Sequence, residues 1–227
     1  MEIRYLGHAT FELVDGDTRI LIDPFLAPHN PKAPVTADEV DPTHIVVTHG
    51  HADHIGDTVA IAARTGASVT AIVEIAQELA ADLPDGEVRE LNLGGTDVFD
   101  WGWVKLVPAW HTSTTPKGTV NTAAGAVVHL NGTTIYHLGD TALFSDLQLV
   151  GRRHPIDVAL MCIGGYYTMD RHDAVEAARL VGAGTIIPGH YDTFPPIETD
   201  AAAFKADVER ETDTKVVVLA PGETHAT

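Results

Sequence analysis

Apolar and polar residues alternate with a period of two in EIRYL, TFELV and TRILI, and Asp15-Gly16 separates the last two runs. That period puts every second side chain on one face of a strand, and an Asp-Gly step between two such runs predicts a hairpin. After a proline-rich loop, PFLAPHNPKAPV, the β-branched run HIVVT predicts a buried strand. From about Ile55 to Thr65 the apolar spacing becomes helical, and Gly66 stands where a helix C-cap belongs. SVTAIV reads as a strand, EIAQELAADL as a helix and Pro84-Asp85-Gly86 as a turn. Five strands follow in VRELNLG, TDVFD, WVKLVPAW, AGAVVHL and TTIYHLGD, the last two joined at Asn131-Gly132. The alternation of helix and strand then returns. A short helix near Ser145–Arg153, the strand DVALMCI, a helix from about Asp170 to Val181, the strand TIIPGH, a helix at about Asp200–Glu211 and the strand KVVVLA close the chain.

Strands followed by α/β units, twice over, predict two similar halves. Each would be a mixed sheet with helices on its outer face, and the two would pack sheet to sheet. The expected fold class is α/β (α+β), a four-layer αββα sandwich, built as one domain over residues 1–227. No linker, low-complexity segment or convincing repeat divides it.

Composition narrows the function classes. No stretch approaches the roughly 18–20 continuous apolar residues of a membrane span. MEIRYLGHATF reads as a first strand rather than a secretory signal, so the expected location is cytoplasmic, with no membrane partner. The single Cys162 excludes an internal disulfide and sits in the apolar run DVALMCIGG, as a small core residue does. Against 32 Asp and Glu stand only 14 Lys and Arg, with no basic stripe, which argues against a nucleic-acid partner. The acid excess reads as a solvated surface. Thirteen histidines are spread along the chain rather than run together as a tag, and they point to the chemistry.

Residues 48–54 read THGHADH and place His49, His51, Asp53 and His54 at the C-terminal end of a predicted strand, where α/β folds place their chemistry. Three more candidates end predicted strands: His111 closes WVKLVPAWH, Asp140 closes TTIYHLGD and His190 closes TIIPGH. Five imidazoles and two carboxylates suit zinc, manganese or iron better than calcium or magnesium. Divided between two ions with one shared carboxylate, they leave a position open for solvent, the mark of a catalytic site. Two ions roughly 3.5–4 Å apart would hold a bridging hydroxide and polarise an ester or phosphoryl oxygen. The absence of cysteine ligands argues against a zinc ribbon or an iron–sulfur site.

HxHxDH followed by well-separated His, Asp and His resembles the metallo-β-lactamase superfamily. More narrowly, the chain resembles metal-dependent hydrolases related to L-ascorbate-6-phosphate lactonase, through YLGHATFEL, ILIDPFL, THGHADH, VPAWHTS, TIYHLGDTALFSD, IGGYYTM and PGHYDTFPPI. The resemblance implies a first metal on His49, His51 and His111, a second on Asp53, His54 and His190, and Asp140 bridging. Two divalent ions are implied, zinc foremost, with manganese or iron as alternatives. The implied activity is hydrolysis of a small ester, lactone or phosphodiester by metal-bound hydroxide, on a small-molecule substrate, with Asp53, Asp140 and His8 as catalytic residues. His8 would stand beside the site's mouth to bind substrate or help proton transfer, and Asp23 of Asp23-Pro24 would orient a ligand histidine. Thr141 and Tyr191, each next to a ligand, read as structural support. Relatives also imply a homo-oligomer. Two alternatives remain open: a mononuclear or diiron redox or oxygen enzyme on the same fold, and a non-catalytic metal-binding scaffold.

Relatives commonly carry Asn in the segments matching Tyr166 and Asp192, so substrate preference is expected to differ there. TSTTPKGTVNTAAG is expected to form a loop of its own shape, having few glycines. His29, His44, His129, His137, His154, His172 and His225 match no ligand position. His129 and His137 are expected to be hydrogen-bonded strand residues, and His225 part of a frayed tail.

Overall fold

The computed structural model describes residues 1–227. Its first half runs β1 (Glu2–Tyr5), β2 (Phe11–Asp15), β3 (Thr18–Ile22), β4 (His44–Val46), α1 (Ala52–Ile55), α2 (Thr58–Thr65), β5 (Ser68–Ile72), α3 (Val73–Asp82) and β6 (Val88–Leu91). The second runs β7 (Thr96–Phe99), β8 (Gly102–Pro108), β9 (Ala124–Leu130), β10 (Thr133–His137), α4 (Leu147–Arg153), β11 (Val158–Cys162), α5 (Arg171–Val181), β12 (Thr185–Gly189), α6 (Ala201–Glu211) and β13 (Lys215–Val216). A last strand, β14 (Thr224–Ala226), follows.

The strands form two seven-stranded sheets, ordered β14-β1-β2-β3-β4-β5-β6 and β13-β12-β11-β10-β9-β8-β7. The halves share one plan. β1 to β3 are antiparallel and β3 to β6 parallel; β7 to β10 are antiparallel and β10 to β13 parallel. Parallel neighbours need crossovers, and the α-helices provide all but the one from β3 to β4, which runs through the proline-rich loop. The period-two pattern sorts the second sheet's side chains. Ala126, Val128 and Leu130 of β9 join a cluster with Leu13, Ile20 and Ile45 of the first sheet. Val127 faces the other way, into a cluster with Phe204 of α6 and Ala177 of α5. The first cluster joins the space between the sheets to the layer under α2 and α3, and each fully buried Leu or Ile in it contributes about 1.5–3 kcal/mol. No helix is long and apolar enough to cross a membrane.

Two expectations fail. The helix expected over about 55–65 is two helices, broken at Gly56, whose φ is 34°. A Cβ there would lie 2.2 Å from the Pro24 carbonyl oxygen, so the break lets the Asp23-Pro24 segment pack directly on the helix junction. Asp57 fixes that contact: its N–H donates to Pro24 O at 2.8 Å, and its Oδ2 accepts from Leu26 N at 3.0 Å. The tail is also not frayed. KVVVLA pairs only through Lys215 and Val216; the chain then returns to the first sheet, where His225 sits opposite Ile3 in β14. THA has no apolar alternation, so the period that reveals the other strands is absent.

Candidate metal centre

Each candidate ligand leaves the end of a strand facing the same rim of the sandwich. His49 follows β4, His51 caps α1, and the single turn of α1 carries Asp53 and His54. The second sheet contributes His111 after β8, Asp140 after β10 and His190 after β12. All seven come together. His49, His51 and His111 form one group of donor atoms within 4.8 Å of one another, and Asp53, His54 and His190 another, which His8 joins.

Asp140 lies between the groups. Its Oδ2 is 3.1 Å from His190 Nε2, 3.6 Å from His111 Nε2 and 3.9 Å from His49 Nε2; its Oδ1 is 3.3 Å from His54 Nε2. Four imidazoles thus point one nitrogen each at a single buried carboxylate. His54 Nε2, Asp140 Oδ1 and both ring nitrogens of His190 are buried without an aligned hydrogen-bond partner. Buried polar atoms are rarely left so. His49 Nε2 also faces His51 Nδ1 at 3.1 Å. Nitrogen lone pairs converging on one point, with carboxylates among them, fit a divalent cation and fit little else.

The protonation pattern supports that reading. Burial opposes charge on His54, but Asp140 and Asp23 on either side hold its pKa well above the ordinary value. Burial likewise opposes ionisation of Asp140, yet His190 and His54 keep it well below the carboxylate range. His49 is pushed well below the ordinary histidine value by burial and by the charge on His54. Asp140 and Asp23 thus favour positive charge at His54, as they would favour a cation beside it.

Asp23 is fully buried behind the site. Its Oδ2 accepts from Thr48 Oγ1 at 2.6 Å and lies 2.8 Å from His54 Nδ1, while its Oδ1 accepts from Thr48 N at 2.8 Å. A proton on Nδ1 turns His54 Nε2 toward Asp140. His8 is buried too, and it lines the cavity that opens beside the donor groups. Its Nε2 is 3.0 Å from Asp53 Oδ2 and its Nδ1 2.9 Å from Thr193 Oγ1. Burial, then His190, pushes the His8 pKa down to about 4, so the neutral ring donates through Nε2 to Asp53 and accepts from Thr193. Asp53 falls well below its ordinary value despite burial, because His8 and His54 favour its charged form. His8, Asp23 and His190 all have left-handed backbones, with φ of 57°, 48° and 53°. The His8 carbonyl accepts from His190 N at 2.6 Å, which locks two of them together.

Thr141 is structural support, as its position suggests. Its Oγ1 accepts from Trp110 N at 3.0 Å and donates to Ala142 O at 2.8 Å, tying the loop after Asp140 to the one carrying His111. Tyr191 lies outside the cavity over the ligands, in a separate groove with Tyr5 and Lys32. Tyr166 and Asp192 do not line that cavity either; their φ values are 59° and 56°. Asn adopts such a left-handed backbone more readily than most residues. In TSTTPKGTVNTAAG, Thr115 N donates to Thr119 O at 2.9 Å, and Ser113 Oγ accepts from Gly50 N at 2.8 Å, so the loop braces the ligand turn. His129 and His137 are hydrogen-bonded strand residues, to Thr134 Oγ1 and Ala9 O.

A cavity of about 480 Å³ opens over the ligands. Phe25, Thr112 and Tyr167 come from the loops after β3, β8 and β11. Phe194, Pro196 and Ile197 add an apolar wall that ligand spacing does not reveal. Its sequence signal is the apolar FPPI that follows His190 without strand or helix period.

Residues 2–190 match the family model of the Beta-lactamase superfamily domain. A UPF0173 metal-dependent hydrolase of Symbiobacterium thermophilum is 46% identical over 228 residues, covering 99% of each chain. Another, of Thermus thermophilus, is 46% identical over 224 residues, covering 98% of this chain and 97% of its own. The solved structure of Igni18, a metallo hydrolase from the hyperthermophilic archaeon Ignicoccus hospitalis, superposes with a TM-score of 0.89 at 35% identity, over 99% of this chain and 97% of that one. With the fold and the clustered donors, these matches give the assignment: the chain belongs to the beta-lactamase superfamily and, within it, to the UPF0173 metal-dependent hydrolases.

Proposed function

We propose that this hydrolase works with two divalent ions, zinc foremost, and cleaves a small ester, lactone or phosphodiester. The observation that carries the reading is the convergence of four imidazoles on the Asp140 carboxylate, with buried donor atoms left unpaired around it. His49, His51 and His111 would hold one ion, Asp53, His54 and His190 the other, and Asp140 both. Such a pair of ions would polarise the scissile carbonyl or phosphoryl oxygen and supply a water ionised near neutral pH.

The chain's own residues set the geometry for that chemistry. Asp23 keeps a proton on His54 Nδ1 and leaves Nε2 free to bind. His8 is a positioning residue: its Nε2–H occupies Asp53 Oδ2, leaving Oδ1 as the free oxygen of that carboxylate. Phe25, Phe194 and Ile197 exclude water from one side of the reacting group.

The test is metal content by plasma mass spectrometry on protein purified without a His tag, followed by turnover of an ester, lactone and phosphodiester panel. About two equivalents per chain, with turnover abolished in a folded Asp140→Ala variant, are expected. Full activity in that variant, or one equivalent of iron with oxygen uptake, would overturn the reading.

A further inference from the structure

Once the metal-binding side chains and His8 are set aside, the cavity offers a substrate Phe25, Ala52, Phe194, Pro196 and Ile197, with the hydroxyls of Thr112 and Tyr167. None of the 14 Lys and Arg residues lines it. Its titratable nitrogens, on His8, His51, His111 and His190, all belong to the two donor groups described above.

We propose that the substrate is neutral outside its scissile group and carries an alkyl or aryl arm that packs against Phe25, Phe194 and Pro196; a substrate with a phosphate monoester or carboxylate outside the scissile group is excluded. This rests on the hydrolase reading above and narrows its substrate class.

The physical argument is desolvation. Moving a carboxylate or phosphate monoester out of water costs far more than an apolar wall returns, unless a cation or several donors replace the lost water. Sites for such groups carry Arg or Lys for that reason. Here the wall is aromatic and aliphatic, the setting in which specificity comes from shape and apolar area. Ile197 is fully buried, and the turn behind it is pinned by Asp192, whose N–H donates to Ile197 O at 3.0 Å and whose Oδ1 accepts from Thr199 N at 2.9 Å. The wall is therefore preformed. The cavity of about 480 Å³ accommodates an arm of several carbons beside a leaving group.

The experiment uses two esters of nearly one shape, 4-nitrophenyl 6-methylheptanoate and the mono-4-nitrophenyl ester of adipic acid, which differ by a terminal carboxylate. With metal-loaded protein, kcat/KM for the neutral ester is expected to be at least tenfold higher. The ratio should hold in 1 M salt, where the Debye length is about 3 Å and repulsion by the net charge of −18 is screened. Tyr167→Lys, at an exposed position on the cavity wall, should narrow or reverse the ratio. Equal or faster turnover of the adipate ester, or a ratio that disappears in salt, overturns the proposal. Calorimetric binding of the anilides of the same two acids gives a readout independent of turnover. The neutral anilide should bind at least tenfold more tightly, and equal binding overturns the proposal. If neither ester is cut while the anilide preference stands, ester hydrolysis fails and the assignment of the neutral arm survives.

Discussion

His54 and Asp23 face each other across 2.8 Å, both fully buried, one on a helical turn and the other on the loop leaving β3. The pair connects the ligand turn to the strand beside it, and Thr48 saturates the remaining carboxylate positions. Asp23→Ala would leave three buried donors unpaired: Thr48 N, Thr48 Oγ1 and His54 Nδ1. Removing one partner of a buried pair costs about 3–5 kcal/mol, and loss of such a partner weakens metal binding about 10–100-fold. Urea denaturation and zinc competition on the variant should show both losses together. A variant of unchanged zinc affinity would separate Asp23 from the metal centre.

His8 should affect one ion and not the other. Its ring contacts Asp53 and lies tilted against His190 with centroids 4.1 Å apart, both in the second donor group. His8→Gln is expected to weaken one equivalent about 10–100-fold while the His49, His51 and His111 group keeps its affinity. A two-site titration with zinc checks this; equal weakening of both steps would mean a general structural effect.

Two glycines with left-handed backbones test the helix break. Gly56→Ala drives a Cβ to 2.2 Å from Pro24 O, whereas Gly66→Ala, at φ 74°, meets nothing within 4 Å. The second should cost only the conformational penalty of about 1–2 kcal/mol. The first adds a clash with backbone that holds Asp23, and should cost about 3 kcal/mol or more. Thermal unfolding of the two variants side by side gives the comparison, with Gly56→Ala also losing metal.

Stability should fall on acidification partly through His44. Its ring is buried between Ser68 Oγ at 2.6 Å and Thr70 Oγ1 at 3.1 Å, and burial, then Arg89, pushes its pKa down to about 3. Between the unfolded value near 6.5 and about 3, the unfolded chain binds a proton there that the folded chain refuses. The contribution is fully present above pH 6.5 and is lost at up to about 1.4 kcal/mol per pH unit below it. His44→Gln cannot titrate, so its destabilisation relative to the parent should shrink by about 2 kcal/mol between pH 7 and pH 4.5. A pH-independent difference would show that His44 is not held neutral.

The candidate ligands were legible in sequence because each ends or closely follows a strand whose apolar period or β-branched run is plain, as in TTIYHLGD and TIIPGH. The layered plan was legible for the same reason. Other features depend on contacts between distant segments. Helical spacing runs past Gly56 without showing that Pro24 packs there. β14 is held by backbone bonds to β1, which THA does not encode in its side chains. Phe194, Pro196 and Ile197 are apolar in a segment without period, and only the turn closed by Asp192 brings them over the ligands. The depth of His8 was hidden too, because the left-handed turn at Gly7-His8 folds the ring inward.

The left-handed backbone at His8, Asp23 and His190 has an evolutionary consequence. At each position a glycine would relieve about 1–2 kcal/mol of backbone strain, and each would delete a side chain the centre depends on. At His8 and His190 folding robustness and chemistry therefore favour different residues, whereas at Asp23 the buried hydrogen bonds make both favour the carboxylate. A library of variants selected only for surviving heat would drift toward glycine at His8 and His190, and its survivors would be sturdier and inert. The same library selected for turnover would keep both histidines and accumulate its gains in stability elsewhere, on surfaces away from the rim.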